Sequence, residues 1–355
     1  APGVSPNNYT EDLAAGDRAR ALSADLLGTD TAAVELVPNT SAGLNLVAQG
    51  LDWEPGDRVL VPACEFPANR MPWRDLAARG VALDRVGACG DGTFTVEAVE
   101  RAMTPRTRVV SVSLVQFLSG FRADVGGIAA LCASRGAIFC VDAIQGLGAL
   151  QLDAGALGAH AGPGGGDVLV AAGGHKWLCS MQGLGVVAVG RSLMERLRPV
   201  RGWLNGPVDW DDFSAETDAL HPDATRFRTG TLPTAQTYAL GAQVGALVDV
   251  GPDVIEGAVL GHARTLADGL DALGFARFGT ADPAHASGIV TVEAPDPEGL
   301  HAHLAGRGVA VSMRSRKVRF APHAHTRPED VERALDAVAE FVHAGHAAPV
   351  QVATA

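Results

Sequence analysis

The stretch Ala137-Ile138-Phe139-Cys140-Val141-Asp142-Ala143-Ile144-Gln145-Gly146 decides the fold. Its apolar run, Ala137 to Val141, is short and rich in β-branched and aromatic residues, as a fully buried strand is. Asp142 closes the run and therefore sits at the carboxyl end of that strand, where open α/β sheets bind their ligands. Similar runs recur on either side: Val34 to Val37, Arg58 to Val61, Ala82 to Val86, Val109 to Ser113, Val168 to Ala172 and Val186 to Val189. Amphipathic, alanine-rich stretches separate them, the alternation of a parallel sheet covered by helices. This predicts an α/β domain with seven strands, mainly parallel. From about Thr234 a helix, Ala235 to Val250, leads into a second pattern. There Gly288 to Val292, Val309 to Val311 and Val318 to Phe320 read as strands, beside helices Val259 to Leu273, Pro297 to Gly306 and Pro328 to Ala344. The expected division is a large domain over 1–247 and a smaller α+β domain over 248–355. Gly162 to Gly166 reads as a flexible surface loop, and no repeat is visible.

The bulk properties narrow the function. At 355 residues the chain suits one large domain plus a smaller one. Charged residues are 19% of it, yet charge or glycine interrupts every apolar stretch well before the roughly 20 residues that span a bilayer. A net charge of −12 argues against nucleic acid, whose phosphates need a basic face. Cys64, Cys89, Cys132, Cys140 and Cys179 are an odd set with no metal-ligand spacing, so neither a disulfide framework nor a metal is expected. With no secretory signal, a cytoplasmic location fits. The chain opens on alanine rather than methionine, as a processed or trimmed form does.

Three polar groups converge above neighbouring strands: Asp142, Gln145 on the same short loop, and Lys176, which follows His175 just past the run Val168 to Ala172. A lysine for a Schiff base and a carboxylate for a pyridine nitrogen are what pyridoxal 5'-phosphate (PLP) requires, together with donors for its phosphate. Asp142 would keep the ring nitrogen protonated, because an opposite charge favours the cation. Gln145 can donate to the phenolic oxygen, and Lys176 can hold the cofactor and then move the α-proton. For the phosphate, Asn39, Thr40, Ser41, Ala42 and Gly43 follow a strand and open the amphipathic stretch Leu44 to Leu51. A capped helix start binds anions through free N–H groups and the helix dipole. Each feature alone has an ordinary reading, a helix cap at Asp142 or a solvated His-Lys pair; it is their order and their elements that point to PLP.

The segments Val141-Asp142-Ala143-Ile144-Gln145-Gly146 and Gly174-His175-Lys176-Trp177 resemble the class V aminotransferase group of PLP enzymes. That group includes cysteine desulfurases, kynureninase and isopenicillin N epimerase-like proteins. The resemblance covers nearly the whole chain: Asn39 to Val47 is similar to the phosphate loop, and Glu65-Phe66-Pro67-Ala68-Asn69 to the segment bearing the ring that stacks on the cofactor. It implies fold type I and places Phe66 on one face of the pyridine, Ile144 on the other, and His175 at the phosphate. Arg226 to Thr231 resembles the segment that reaches the phosphate of the neighbouring subunit, so Gly230 and Thr231 imply a homodimer with shared active sites. Arg319-Phe320-Ala321-Pro322-His323 is similar to the segment whose arginine grips the substrate α-carboxylate, a task suited to a guanidinium fork.

Two departures bear on the reaction. Gly173-Gly174 stands where many relatives carry a serine two residues before the His-Lys pair. Val311 to Lys317 contains no cysteine, which disfavours persulfide-forming desulfuration. Aminotransferase chemistry on an amino acid is the first expectation. Carbon–sulfur β-elimination and α-carbon epimerisation are its alternatives, and a catalytically idle PLP-binding domain is the reading outside enzymes. Cys179 reads as a small buried hydrophobe, and Arg314, Arg316 and Lys317 as either a solvated basic edge or a grip on a second acidic group of the substrate.

Overall fold

A computed structural model describes residues 9–87, 90–214 and 217–346; Cys89 lies outside them. Seven strands form the main sheet: β1 (Val34–Val37), β2 (Arg58–Pro62), β3 (Ala82–Val86), β4 (Thr107–Ser113), β5 (Ile138–Asp142), β6 (Val168–Gly173) and β7 (Gly185–Val189). Their order is β1-β7-β6-β5-β4-β2-β3. From β3 to β6 neighbours are parallel, while β7 runs antiparallel to both β6 and β1. The helices in chain order are α1 (Tyr9–Leu27), α2 (Thr40–Gly50), α3 (Met71–Arg74), α4 (Val96–Ala102), α5 (Val125–Arg135), α6 (Arg191–Arg196), α7 (Thr234–Val250), α8 (Pro252–Ala272), α9 (Pro297–Gly306) and α10 (Pro328–Phe341).

Strand periodicity builds two cores, one on each face of the sheet. In β5, Phe139 and Val141 point into one core with Leu36, Val110 and Val170. Ile138 and Cys140 point into the other, with Val59, Leu169, Val187 and the Leu44 and Val47 faces of α2. All seven strand positions agree with the sequence reading to within two residues. The helix expected at Val259 starts earlier, because Gly251 adopts φ +96° and breaks α7, and Pro252 opens α8.

Four antiparallel strands make a second sheet in the order β10-β11-β9-β8: β8 (Ala276–Arg277), β9 (Val290–Glu293), β10 (Ser312–Arg314) and β11 (Lys317–Phe320). Leu266, Leu270, Val292, Leu300, Val318, Val338 and Phe341 form its core. The expected strand Val309 to Val311 is displaced to Ser312–Arg314. Val309 and Val311 pack on this core, but the tight turn at Ser315 and Arg316 pairs Arg314 with Lys317 and sets the register. In the glycine-rich loop, Pro163 and Gly164 are exposed while Gly165 is buried. Among the described residues no helix is long and apolar enough to cross a membrane.

Candidate active site

The carboxyl ends of β4 and β5 stand level, Ser113 pairing with Asp142, and β6 runs two residues past Ala171, the partner of Asp142, to Gly173. Asp142 is buried there, and its Oδ1 accepts the Ile144 amide at 3.0 Å. Its Oδ2 accepts no hydrogen bond among the described residues. Burial pushes the carboxyl up to about 6, against the opposing pull of the Ile144 amide and of Lys176. Gln145 is buried beside it and accepts from Trp177 Nε1 at 3.3 Å, which ties the loop after β5 to the turn carrying Lys176.

Lys176 is half-buried, with Nζ 5.7 Å from the centre of the Phe66 ring. Burial lowers its pKa, the Asp142 carboxylate raises it, and the cations Arg319 and Arg314 lower it further. A half-exposed Phe66 stands edge-on to Phe117 at 5.2 Å and is not part of the core. Gly173 and Gly174 precede the lysine in tight quarters. A Cβ on Gly173 would meet His175 and Ile144 at 3.2 Å, and one on Gly174 would stand 2.8 Å from the Leu184 carbonyl.

The start of α2 approaches from the other side. Gly43 packs so closely on β6 that a Cβ there would come within 2.7 Å of the Ala171 Cβ. Thr40 Oγ1 accepts the Gly173 amide at 3.0 Å, which joins this helix start to the end of β6. Asn39 caps the helix by accepting the Ala42 amide at 2.9 Å, so that amide is already engaged. Ser41 is half-buried and His175 exposed; partial burial and the nearby Lys176 lower the His175 pKa.

Arg319, on β11, faces the same region. Its Nε donates to Ser312 Oγ at 3.1 Å and its Nη1 to the Phe117 carbonyl at 2.5 Å. Gly230 lies elsewhere, against the Trp203 indole, and Thr231 lines a small recess with Asp12, Leu13, Leu204 and Arg228. A cavity of about 510 Å³ among Phe121, Leu260, Ala263, Phe278, Ser287 and Ile289 contains none of these residues.

Several contacts escaped sequence reasoning. Glu65 is buried and accepts from both the amide and the hydroxyl of Ser113, the residue level with Asp142. Burial raises its carboxyl to about 7, and Asp142 adds to the rise. An acid directly behind the apolar strand β2 was the available signal. His323 Nε2 donates to the Trp177 carbonyl at 2.9 Å and its Nδ1 accepts the Ala324 amide at 2.8 Å. Cys179 is exposed rather than buried, in a left-handed conformation at φ +53°, with its Sγ 3.6 Å from His323. Cys179, His323 and His325 bring ligand atoms within 4.8 Å of one another, a grouping that sequence spacing hides.

A buried carboxylate with a raised pKa and an uncommitted oxygen calls for a cationic N–H, and the donors of Thr40, Ser41 and the start of α2 suit a phosphate. The profile of the family described as aminotransferase class-V matches residues 9–319. The chain belongs to this family. Its members are PLP-dependent enzymes, and pyridoxal 5'-phosphate is the cofactor of this one; the two sheets form the fold type I architecture. A probable cysteine desulfurase of Streptomyces coelicolor is 32% identical over 238 residues, 65% of this chain and 53% of the relative, so the matched stretch spans about half of that protein. The uncharacterized aminotransferase YcbU of Bacillus subtilis is 26% identical over 341 residues, 94% of this chain and 85% of the relative. A solved complex of the cystine C–S lyase C-DES with its reaction product cysteine persulfide shares the fold, with a TM-score of 0.84 at 21% identity over 96% of this chain and 90% of that one.

Proposed function

We propose that this class-V enzyme acts at the α-carbon of an amino acid and transfers its amino group, with Lys176 holding the cofactor and moving the α-proton. The observation that carries the reading is the lysine itself, half-buried, with a lowered pKa, in the field of a buried Asp142. A lowered pKa raises the share of neutral amine, the form that both attack on a carbonyl and proton abstraction require. When bound, PLP supplies an electron-accepting ring that stabilises charge developing at the α-carbon. Asp142 would keep the ring nitrogen protonated, and Gln145, fixed by Trp177 on the same loop, would donate to the phenolic oxygen. Thr40, Ser41 and His175 would hold the phosphate, with Ala42, whose amide Asn39 already engages, lining the same helix start, while Phe66 and Ile144 would pack on the ring. Arg319 binds the α-carboxylate; Ser312 and Phe117 fix the direction of its fork. Gly230 and Thr231 complete the phosphate site of a second copy in a homodimer.

Carbon–sulfur β-elimination is the second reading. It is favoured by relatives named cysteine desulfurase, although Val311 to Lys317 has no cysteine to receive sulfur. Borohydride reduction followed by peptide mapping should place the cofactor on Lys176, and Lys176→Ala should lose the visible absorbance of the loaded enzyme. Persistence of colour and activity in that variant would overturn the proposal. A screen of amino acids that scores keto acid, pyruvate with ammonia, and inverted stereochemistry separately distinguishes amino transfer from elimination and epimerisation.

A further inference from the structure

The hairpin that carries Arg319 holds a second guanidinium. Strands β10 and β11 pair Ser312 with Arg319 and Arg314 with Lys317. Residues directly opposite share a face, as do residues two apart, so Ser312, Arg314, Lys317 and Arg319 all project from one side. Arg314 is the diagonal neighbour of Arg319, at a backbone separation of about 7–8 Å. The turn between the strands is only two residues long, and both are left-handed, Ser315 at φ +48° and Arg316 at φ +56°. Glycine or asparagine ordinarily fills such positions. Here side chains with a Cβ are held there, beside a candidate substrate-binding arginine, which is where backbone strain is characteristically retained.

The cations of this hairpin are not equally provided for. Arg316 is paired with Glu298 at 2.6 Å. Lys317 is paired with Glu293 at 3.2 Å and lies over the Phe278 ring. Arg319 is committed to Ser312 and Phe117. Arg314 donates only to the carbonyl of its neighbour Met313, at 2.8 Å, and has no acidic partner among the described residues. Its charge is nonetheless felt inside the site, because it lowers the pKa of both Lys176 and Arg319. A chain with 40 acidic residues against 28 basic ones has thus left two neighbouring guanidiniums at one site without a carboxylate between them.

We infer that the substrate is an amino acid with a second anionic group, a dicarboxylate or its sulfinate analogue, whose distal anion is held by Arg314 while Arg319 takes the α-carboxylate. The inference rests on the proposed amino-acid chemistry at Lys176 and adds the substrate class to it. A dianion removes the repulsion between the two arginines, and each guanidinium presents the fork that a carboxylate matches. An amino acid with a neutral side chain fills one subsite and leaves the other cation uncompensated.

The test uses the PLP-loaded enzyme and matched pairs: L-aspartate against L-asparagine, and L-glutamate against L-glutamine, with L-cysteinesulfinate as the sulfur analogue. Apparent Kd is read from the visible absorbance of the bound cofactor as ligand is added. At least one acid should bind about tenfold tighter than its amide, and Arg314→Gln should reduce that ratio to roughly two or less, the size expected for losing one charge-assisted contact. Arg316→Gln, on the turn and already paired, should leave the ratio unchanged. Acids and amides binding alike to the wild type, or a preference that survives Arg314→Gln, would sink the inference. Succinate, which has two carboxylates and no amino group, is followed in parallel by calorimetry; binding that is lost in Arg314→Gln supports the paired-anion site, and equal binding to both proteins counts against it. If no amino acid alters the absorbance and borohydride leaves Lys176 unlabelled, the chemistry proposed for Lys176 fails, and the succinate result still decides the subsite.

Discussion

His323 Nε2 donates to the carbonyl of Trp177 at 2.9 Å, which ties the residue after Lys176 to a point four residues past Arg319. The imidazole also stacks on the Trp177 ring, with centroids 5.3 Å apart and planes 27° apart. The Ala324 amide donates to Nδ1, which makes Nε2 the nitrogen that carries the proton given to Trp177, and burial and the neighbouring His325 lower the His323 pKa. This contact sets the spacing between the lysine turn of the main sheet and the arginine strand of the small one. His323→Ala should therefore weaken amino-acid binding by roughly five- to tenfold, the worth of one hydrogen bond and a ring contact. Cofactor affinity should change much less, and His323→Gln, which keeps a donor, should recover part of the loss. An equal loss of PLP and amino-acid affinity would show that the contact serves the fold rather than this spacing.

The role proposed for Asp142 sets function against stability. Its folded pKa of about 6 lies above the ordinary carboxyl value, so the cofactor-free protein binds its proton more tightly than the unfolded chain does. The resulting stabilisation is complete below about pH 4 and is lost as pH rises through about 6, to the extent of roughly 3 kcal/mol. Asp142→Asn should accordingly stabilise the cofactor-free protein at pH 7.5 by about 2–3 kcal/mol and hardly at all at pH 4, while weakening PLP binding. Urea denaturation at the two pH values measures the difference. A variant less stable than the wild type at pH 7.5 contradicts the burial cost assigned to this carboxylate.

The elements that carry this site were legible because their signals are local. A buried strand ending on an acid, a capped helix start and a glycine pair before His175 and Lys176 are each read within ten residues. The register of the small sheet was not, because it is set by a left-handed Ser315-Arg316 turn that no glycine announces, whereas the apolar Val309 and Val311 imitate a strand. Contacts such as Glu65 with Ser113, His323 with Trp177, and Cys179 with His323 join residues far apart in the chain. Only the fold makes them neighbours, and no periodicity encodes them.

Gly43 and Gly241 separate close approach from helix propensity. Both are helical, but a Cβ on Gly43 would stand 2.7 Å from the Ala171 Cβ, whereas one on Gly241 would meet Ala19 at an ordinary 3.6 Å. Gly241→Ala should stabilise the protein by about 0.5–1 kcal/mol through reduced chain entropy. Gly43→Ala gains the same entropy but must push α2 off β6, an overpacking cost of about 1–3 kcal/mol. Because Thr40 and Ser41 ride on that helix start, its PLP affinity should also fall. Gly43→Ala binding PLP as tightly as the wild type would show that the helix start is not part of the phosphate site.

Glu35 on β1 is buried between two arginines: Arg228 Nε donates to its Oε1 at 3.1 Å, and Arg20 Nε lies 3.6 Å from its Oε2. Asp17 and Asp223 lie farther out, at 3.6 Å from Arg228 and 3.4 Å from Arg20. Glu35→Gln leaves two buried guanidiniums facing one neutral amide, and breaking a buried ion pair in this way costs about 3–5 kcal/mol. Adding Arg228→Met removes one of the stranded charges and should recover part of that loss, although it deletes a further polar group. The arginine also anchors the backbone two residues before Gly230 and Thr231, which are proposed to serve a second copy. If the proposed homodimer forms, the single variant should lose PLP affinity at temperatures where it is still folded. If the double variant is less stable than Glu35→Gln by the full effect of a separate Arg228→Met, the two residues act independently, and the ion cluster does not position that segment.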